Sequence, residues 1–428
     1  MKKTFSLIAC YCSTLLLIFF FLLSCKKDGG PGSSHGSGLE INLSYQPNNS
    51  DVRNFELIIS SKNGIILLDT IGPVDTKISA TLKTNDRSFD VTVIHYDSTA
   101  DQYTANTYTS VNPSSWTIIA NGYPNYYSPV YGPPFTPATL HYYNAPDGQP
   151  YFINGPVPEQ YTITPATGTV DIAYDRHEGN YTYLLFPASG LYNFHMPLTD
   201  ADSVDLSRMD TAVAVNFAKP AQYQMVFTNL EGFMDTTDLS RYLWLYFNFN
   251  FNNGYDLQYP GKFVQKYEFA AAWSNSQQGY SHYYSFNDTV PAAGSIPFLD
   301  ENNYSIGSGL ADSFDIRFIN EHPTYYETQW ASGKVMWNLF SSPDATVQHP
   351  LHLFTTQKSQ YMKGQDLSGL ALNHLLFENA QGSEYATYFS YMFTPALLHT
   401  KRLRSSLIFE KFFGNAKAVS KMIKLPRN

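Results

Sequence analysis

Residues 55–68 read FELIISSKNGIILL: the apolar runs Phe55 to Ile59 and Ile65 to Leu68 flank the turn Lys62-Asn63-Gly64. An Asn-Gly step between two apolar runs is a strong hairpin signal, because both residues tolerate the positive φ that a tight turn between strands requires. Working outward, Leu39, Ile41, Leu43 and Tyr45 alternate with Glu40, Asn42 and Ser44, the two-residue period of a half-buried strand. Further strands are expected at residues 77–82, 88–96 and 103–111.

Six or seven short strands in about 75 residues, with turn residues between them, are the pattern of a small β-sandwich. In that pattern residues 39–121 look like an immunoglobulin or fibronectin type III module. The resemblance brings no binding residues with it. Residues 122–137 carry five prolines and four tyrosines. Proline removes ladder donors and fixes φ, so this stretch is expected to be an extended linker and a domain boundary.

Strand patterns continue at 170–174, 181–186, 211–217, 223–228, 241–251, 263–271, 313–319 and 324–330. The last is expected to pair with 335–340 across the four-residue loop Ala331-Ser332-Gly333-Lys334. The expected fold class is all-β: tandem Ig-like β-sandwiches, divided into a second sandwich at 138–228 and a larger one at 229–398. Asp-Leu-Ser recurs at Asp205, Asp238 and Asp366 without repeated flanks, which reads as turn chemistry rather than a repeat unit.

The N-terminus reads differently. Lys2 and Lys3 precede an uncharged run from Phe5 to Leu23, the charged and apolar regions of an export signal. The run ends in Leu22-Leu23-Ser24-Cys25, which resembles the bacterial lipobox. That resemblance implies removal of residues 1–24 and acylation of Cys25, palmitate among the acyl groups. An uncleaved signal anchor is the alternative, since about 20 apolar residues also span a bilayer. The segment 26–38, KKDGGPGSSHGSG, lacks the apolar surface to fold and is expected to be a flexible tether. In Gram-negative lipoproteins an Asp just after the Cys favours inner-membrane retention; here Lys26 stands there, so the resemblance implies the outer membrane. Its charged flank, with one acid at Asp28, resembles the surface-export signal of Bacteroidota lipoproteins, which leaves the membrane face open.

Of three cysteines, Cys10 and Cys12 lie inside the signal, so the mature chain keeps Cys25 alone and has no disulfide or zinc-thiolate chemistry. Loss of Lys2 and Lys3 takes the formal net charge from −9 to −11. Nucleic acid is therefore not an expected partner. Eight Lys or Arg between 399 and 428 face Glu410 as the only acid. There Ile408, Phe412, Ala416, Val419 and Ile423 share one helical arc and Lys417, Lys421 and Lys424 the opposite one. That is the pattern of a short basic amphipathic helix that lies on anionic lipid, docks on the acidic body or frays.

The zinc-protease His-Glu-x-x-His motif, a phosphate-binding loop, a dinucleotide glycine pattern and a calcium-binding EF-hand loop are all absent. A formal Gly-x-Ser-x-Gly at 32–36 lies in the tether, without the strand and helix of a nucleophile elbow. His349 and His352 would point to opposite faces of a strand. Asp175 to Glu178 reads as a hairpin tip. Asp200, Asp202 and Asp205 resemble a calcium-binding acidic loop, with a solvated turn as the alternative.

The densest aromatic segment is RYLWLYFNFNF at 241–251. In a regular strand Leu243, Leu245, Phe247, Phe249 and Phe251 share one face and Tyr242, Trp244, Tyr246, Asn248 and Asn250 the other. Rings spaced roughly 6.5 to 7 Å apart form a platform on which successive sugars can stack. The alternative is a central strand buried on both faces, with the polar edges satisfied by loops. The expected function is thus a membrane-anchored envelope lipoprotein with a binding or assembly role, towards polysaccharide or an envelope protein. A surface polysaccharide hydrolase or a structural envelope protein are the alternatives.

Overall fold

The computed structural model describes residues 39 to 413, apart from 120–135, 175–181, 196–202, 249–254, 349–358 and shorter segments among them. One compact unit, Leu39–Leu82 with Asp86–Asn428, carries all of the architecture that follows.

The all-β expectation holds. The N-terminal strands are β1 (Leu39–Gln46), β2 (Asn54–Ser60), β3 (Ile66–Pro73), β4 (Ile78–Leu82), β5 (Phe89–Asp97), β6 (Gln102–Val111) and β7 (Ser115–Ile119). Then come β8 (Thr136–Tyr143), β9 (Pro150–Asn154), β10 (Pro158–Thr162), β11 (Gly168–Tyr174), β12 (Thr182–Phe186), β13 (Leu191–His195), β14 (Ser203–Asp205), β15 (Asp210–Thr211) and β16 (Val213–Phe217). The next group is β17 (Tyr223–Phe233), β18 (Leu243–Asn248), β19 (Tyr255–Tyr259), β20 (Lys266–Asn275), β21 (Gly279–Asn287), β22 (Tyr304–Ser308) and β23 (Phe314–Phe318). Last are β24 (Tyr325–Ser332), β25 (Val335–Ser341), β26 (Val347–Gln348), β27 (Ala371–Ala380), the helix α1 (Tyr385–Met392) and β28 (Ser405–Phe412).

The Asn-Gly hairpin forms as read. Ile59 lies opposite Leu68, Gly64 sits at φ +77°, and the N–H of Gly64 donates to Ser61 O at 2.8 Å. In β1 the residues Ile41, Leu43 and Tyr45 are buried, as their alternation requires. That strand lies between β4, antiparallel, and β7, parallel. The β24–β25 loop is tighter than expected: Ser332 pairs with Val335, so Gly333 (φ +51°) and Lys334 alone make the turn. Gly at the first of two central positions is the type II′ arrangement, whose twist suits a hairpin.

A twelve-stranded sheet dominates, in the order β18-β17-β20-β21-β28-β27-β24-β25-β6-β5-β2-β3. This corrects the expected division into separate sandwiches at 39–121 and 229–398. Strand β6 pairs in parallel with β25, from Tyr103 opposite Val335 to Tyr108 opposite Phe340, so one sheet runs through both segments. The expected basic helix is corrected too. Ile408 and Phe412 lie in β28, held between β21 and β27. Ala416, Lys417, Val419, Lys421, Ile423 and Lys424 lie outside the described residues, as do 122–135 of the expected linker.

The sheet is covered on both faces. Its first face carries Phe55, Leu57, Ile59, Val93, Tyr108 and Phe340 under the β4-β1-β7 sheet and α1. Its second carries Ile58, Ile94, Trp337, Leu339 and Phe377 under Phe314 and Ile316 of the β22-β23-β26 sheet. At the β18 end a third core joins Leu230, Leu245, Phe269 and Trp273 to Tyr183, Phe217 and Leu257. Burial on both faces explains the unbroken apolar runs of these strands.

Two buried carboxylates fasten cover to sheet. On the second face Glu56 accepts from Ser359 Oγ (2.7 Å), Gln360 N–H (2.8 Å) and Tyr361 N–H (3.2 Å). On the first face Glu378 accepts from Tyr325 Oη (2.9 Å), Tyr388 Oη (2.8 Å) and Ser406 Oγ, which ties α1 to the sheet.

Because β28 is an interior strand, a chain ending at Thr400 leaves β21 and β27 without the ladder partner between them. Such a chain is expected to lose its cooperative thermal transition and near-ultraviolet circular dichroism. A native-like transition in the truncated chain would show that the sheet closes without β28.

Candidate functional site

The structure divides the expected aromatic row. Along the β17–β18 pair Gly232 opposes Leu243 and Glu231 opposes Trp244, but Leu230 opposes Tyr246, so a bulge falls at Leu245. A bulge inserts one unpaired residue and inverts the alternation beyond it. Tyr246 is thereby brought to the side of Leu230 and packs, half-buried, on the same core as Leu243 and Leu245. Tyr242 precedes the strand, its ring 6.0 Å from that of Phe233. Asn248 pairs with Thr228 and Asn250 lies outside the described residues. Tyr246 is thus turned to the core side of the pair, out of the row in which it was expected.

Of the acidic loop, Asp200 and Asp202 lie outside the described residues. Asp205 ends β14 and caps a turn, its Oδ1 accepting from Asn144 Nδ2 (2.9 Å) and Ser207 N–H (3.0 Å), bonds that hold its carboxyl below the usual range. Asp366 caps Ser368 N–H in the same way at 3.0 Å, the turn chemistry expected of Asp-Leu-Ser. Asp238, Asp175 to Glu178, His349 and His352 lie outside the described residues. Among the described residues no three His, Cys, Asp or Glu side chains are placed to hold a metal ion.

A different constellation emerges from four strands that the chain supplies far apart in sequence. On the first face Glu327 of β24, Leu376 of β27, Glu410 of β28 and Tyr280 of β21 form one cross-strand row. Above it lie Gln329, His374 and Phe412, and below it Ile408 and His282. Glu410 is the hub: His282 Nε2 lies 3.6 Å from its Oε1 and His374 Nε2 lies 3.9 Å from its Oε2. The His374 ring stacks on Phe412 at 4.7 Å, and Tyr280 meets Phe412 edge-on at 6.1 Å. An amide ladder continues the band, with Gln329 Nε2 donating to Asn338 Oδ1 (2.7 Å) and Asn338 Nδ2 donating to Asn106 Oδ1 (2.8 Å).

Burial sets the electrostatics. It pushes the Glu327 carboxyl up to about 7, with Glu410 adding to the rise and His374 opposing it. Burial acts on Glu410 too, but His282 and His374 together outweigh it and hold this carboxyl below its usual range. His282 is pulled down by burial against the attraction of Glu410. Two carboxyls whose environments separate their protonation are the arrangement that acid–base chemistry uses.

Unlike Glu56 and Glu378, this group is left unfinished. Among the described residues, Glu327 Oε2 and His374 Nε2 are buried with no hydrogen-bond partner. The side chains of His282 and Glu410 keep 16% and 12% of their surface, and Glu327 and His374 lie deeper. The sequence held one signal of it: His374, Glu378 and Glu410 stand as polar residues inside strongly apolar runs.

No family model matches the chain, and no curated protein matches it. Among solved structures a pilus adhesin, SpaC, from Lactobacillus rhamnosus GG is similar over 70% of this chain at 9% identity, with a TM-score of 0.14. This chain spans 43% of that adhesin's length. No inference about function follows from a likeness of that size.

Glu327 also gives a pH test. Its folded value is raised, so the folded state holds a proton that the unfolded state releases between about pH 4.5 and 7. Stability contributed by that proton is therefore lost as pH rises through this window, by up to ~3 kcal/mol. Glu327→Gln removes the term, so the variant should gain stability relative to the parent between pH 5 and 8 in denaturant titrations. A difference that does not change with pH would contradict the assignment.

Proposed function

We propose that this chain is a lipid-anchored envelope protein, held through Cys25 in the outer membrane, whose β body serves binding or assembly. The observation that carries this reading is the passage from lipobox-like residues through a polar tether into β1 at Leu39. Thirteen spacer residues, 26–38, reach up to about 45 Å when extended. That length lets a rigid sheet stand clear of lipid headgroups while staying bound to them. The acidic body disfavours nucleic acid and leaves polysaccharide or an envelope protein as partner.

One observation favours a second reading, a polysaccharide hydrolase. Glu327 and Glu410 stand in one cross-strand row of a single face with Leu376 between them, and burial raises the first while two histidines lower the second, as glycoside hydrolysis divides its roles between two acids.

Two measurements test these readings. Cells fed radiolabelled palmitate should label the protein, and Cys25→Ser should abolish both the label and its partition into the detergent phase; label retained in the variant would sink the lipid assignment. The full chain in detergent micelles should be retained by a polysaccharide without releasing new reducing ends. Release that disappears in Glu327→Gln would establish the hydrolase instead.

A further inference from the structure

We infer that the sheet face at Glu327, His374, Glu410 and Tyr280 is a binding site for a neutral sugar ring. This inference rests on the polysaccharide-binding reading above and gives it a location and a ligand class.

Three observations converge on it. The first is the pair of orphaned atoms. Glu327 and His374 are 5% and 3% exposed, and among the described residues Glu327 Oε2 and His374 Nε2 meet no hydrogen-bond partner, Glu410 Oε2 standing 3.9 Å from the latter. Buried polar atoms are rarely left unpaired, because each forfeits the hydrogen bonds it would make in water. A hydroxyl has the chemistry to meet either, since it donates to a carboxyl oxygen and accepts from a ring N–H.

The second is the aromatic border. Tyr280 and Phe412 are half-buried and meet edge-on at 6.1 Å, with Tyr280 directly opposite Glu410 in the ladder. Apolar ring faces beside a few convergent polar groups are what small-ligand sites generally present. A pyranose matches that mixture, with C–H bonds on its faces and hydroxyls around its edge.

The third is charge. Glu410 is the carboxylate held ionised, and His282 and His374 face it at 3.6 and 3.9 Å. A cation would compete with those two histidines, and an anion would meet Glu410. An uncharged polyhydroxyl ligand avoids both penalties.

The experiment uses the full chain in detergent micelles, with calorimetry and affinity gels against soluble β-glucan, mannan and xylan as neutral probes and alginate as the acidic one. At least one neutral glycan should bind. Tyr280→Ala and Glu327→Ala should each weaken its binding tenfold or more, Tyr280→Phe should stay within about twofold of the parent, and Tyr242→Ala should leave binding unchanged. The Tyr280→Phe variant separates loss of the ring from loss of the fold. If the parent binds a neutral glycan and both alanine variants bind it equally well, this location is overturned while the glycan reading stands. Retention by alginate alone overturns the ligand class. Failure of the parent to bind any probe overturns the glycan reading and the site with it.

Discussion

The parallel pairing of β6 with β25 is the contact on which the rest of the structure depends. The two strands lie more than 220 residues apart in sequence and have no local reason to meet. Their backbone groups are buried on both faces of the sheet, and a buried N–H or C=O without a partner is costly, so each strand completes the other. Side chains secure the register. Tyr108 stacks on Phe340 at 4.7 Å, Trp337 Nε1 donates to Thr107 Oγ1 at 3.1 Å, and the Tyr385 hydroxyl sits 2.6 Å from Thr109 O and 3.0 Å from Phe340 O. The helix α1 thus clamps the seam from above. Closing so long a loop costs entropy before any contact repays it, which places this fold among the slow-folding topologies.

That seam also explains what the sequence could and could not disclose. Strands with one solvent face, such as β1, alternate cleanly, and the hairpin at Asn63-Gly64 announces itself because its turn needs a positive φ at Gly64. Interior strands give up alternation. In β28 the run Leu407-Ile408-Phe409 is apolar on both faces, so spacings of four residues from Ile408 to Phe412 imitate a helix. Strand β27 hides for the same reason, with His374 and Glu378 interrupting its apolar run. Partner choice across hundreds of residues leaves no trace in periodicity, so the shared sheet read as separate sandwiches. The bulge at Leu245 was equally silent, because the segment's own alternation is unbroken and only the partner strand shifts the register.

The buried carboxylates sort into two kinds, and the sorting bears on function. Glu56 and Glu378 are each met by three donors, and both join a covering segment to the sheet. Their burial is offset by those bonds. Glu327 has the same depth and none of that compensation at Oε2. A side chain of the size and polarity of glutamate is a poor choice there for stability alone. Leu376 occupies the neighbouring position of the same row, and an apolar residue at 327 would extend its core without a desolvation cost.

Local rules of burial are broken where a fold has something to do besides persist. Here Glu327, His374, Glu410 and His282 lie on four neighbouring strands of one face, with Phe340 beside Glu327 in its row and Tyr325 and Ile408 in the row below. A buried polar pair can be met within the protein, as Tyr45 Oη meets His95 Nδ1 at 2.7 Å under the first-face cover. A cluster that is rimmed by half-buried rings, with Glu327 Oε2 and His374 Nε2 unmet among the described residues, has the makings of a surface for a molecule the chain does not itself contain. Its position matters as much as its composition. The four strands that build it include the interior strand β28, so any contact that a ligand makes with Glu410 bears directly on the ladder joining β21 to β27. Occupancy of the face and integrity of the sheet are coupled through one strand, and a bound ligand stabilises the fold by mass action.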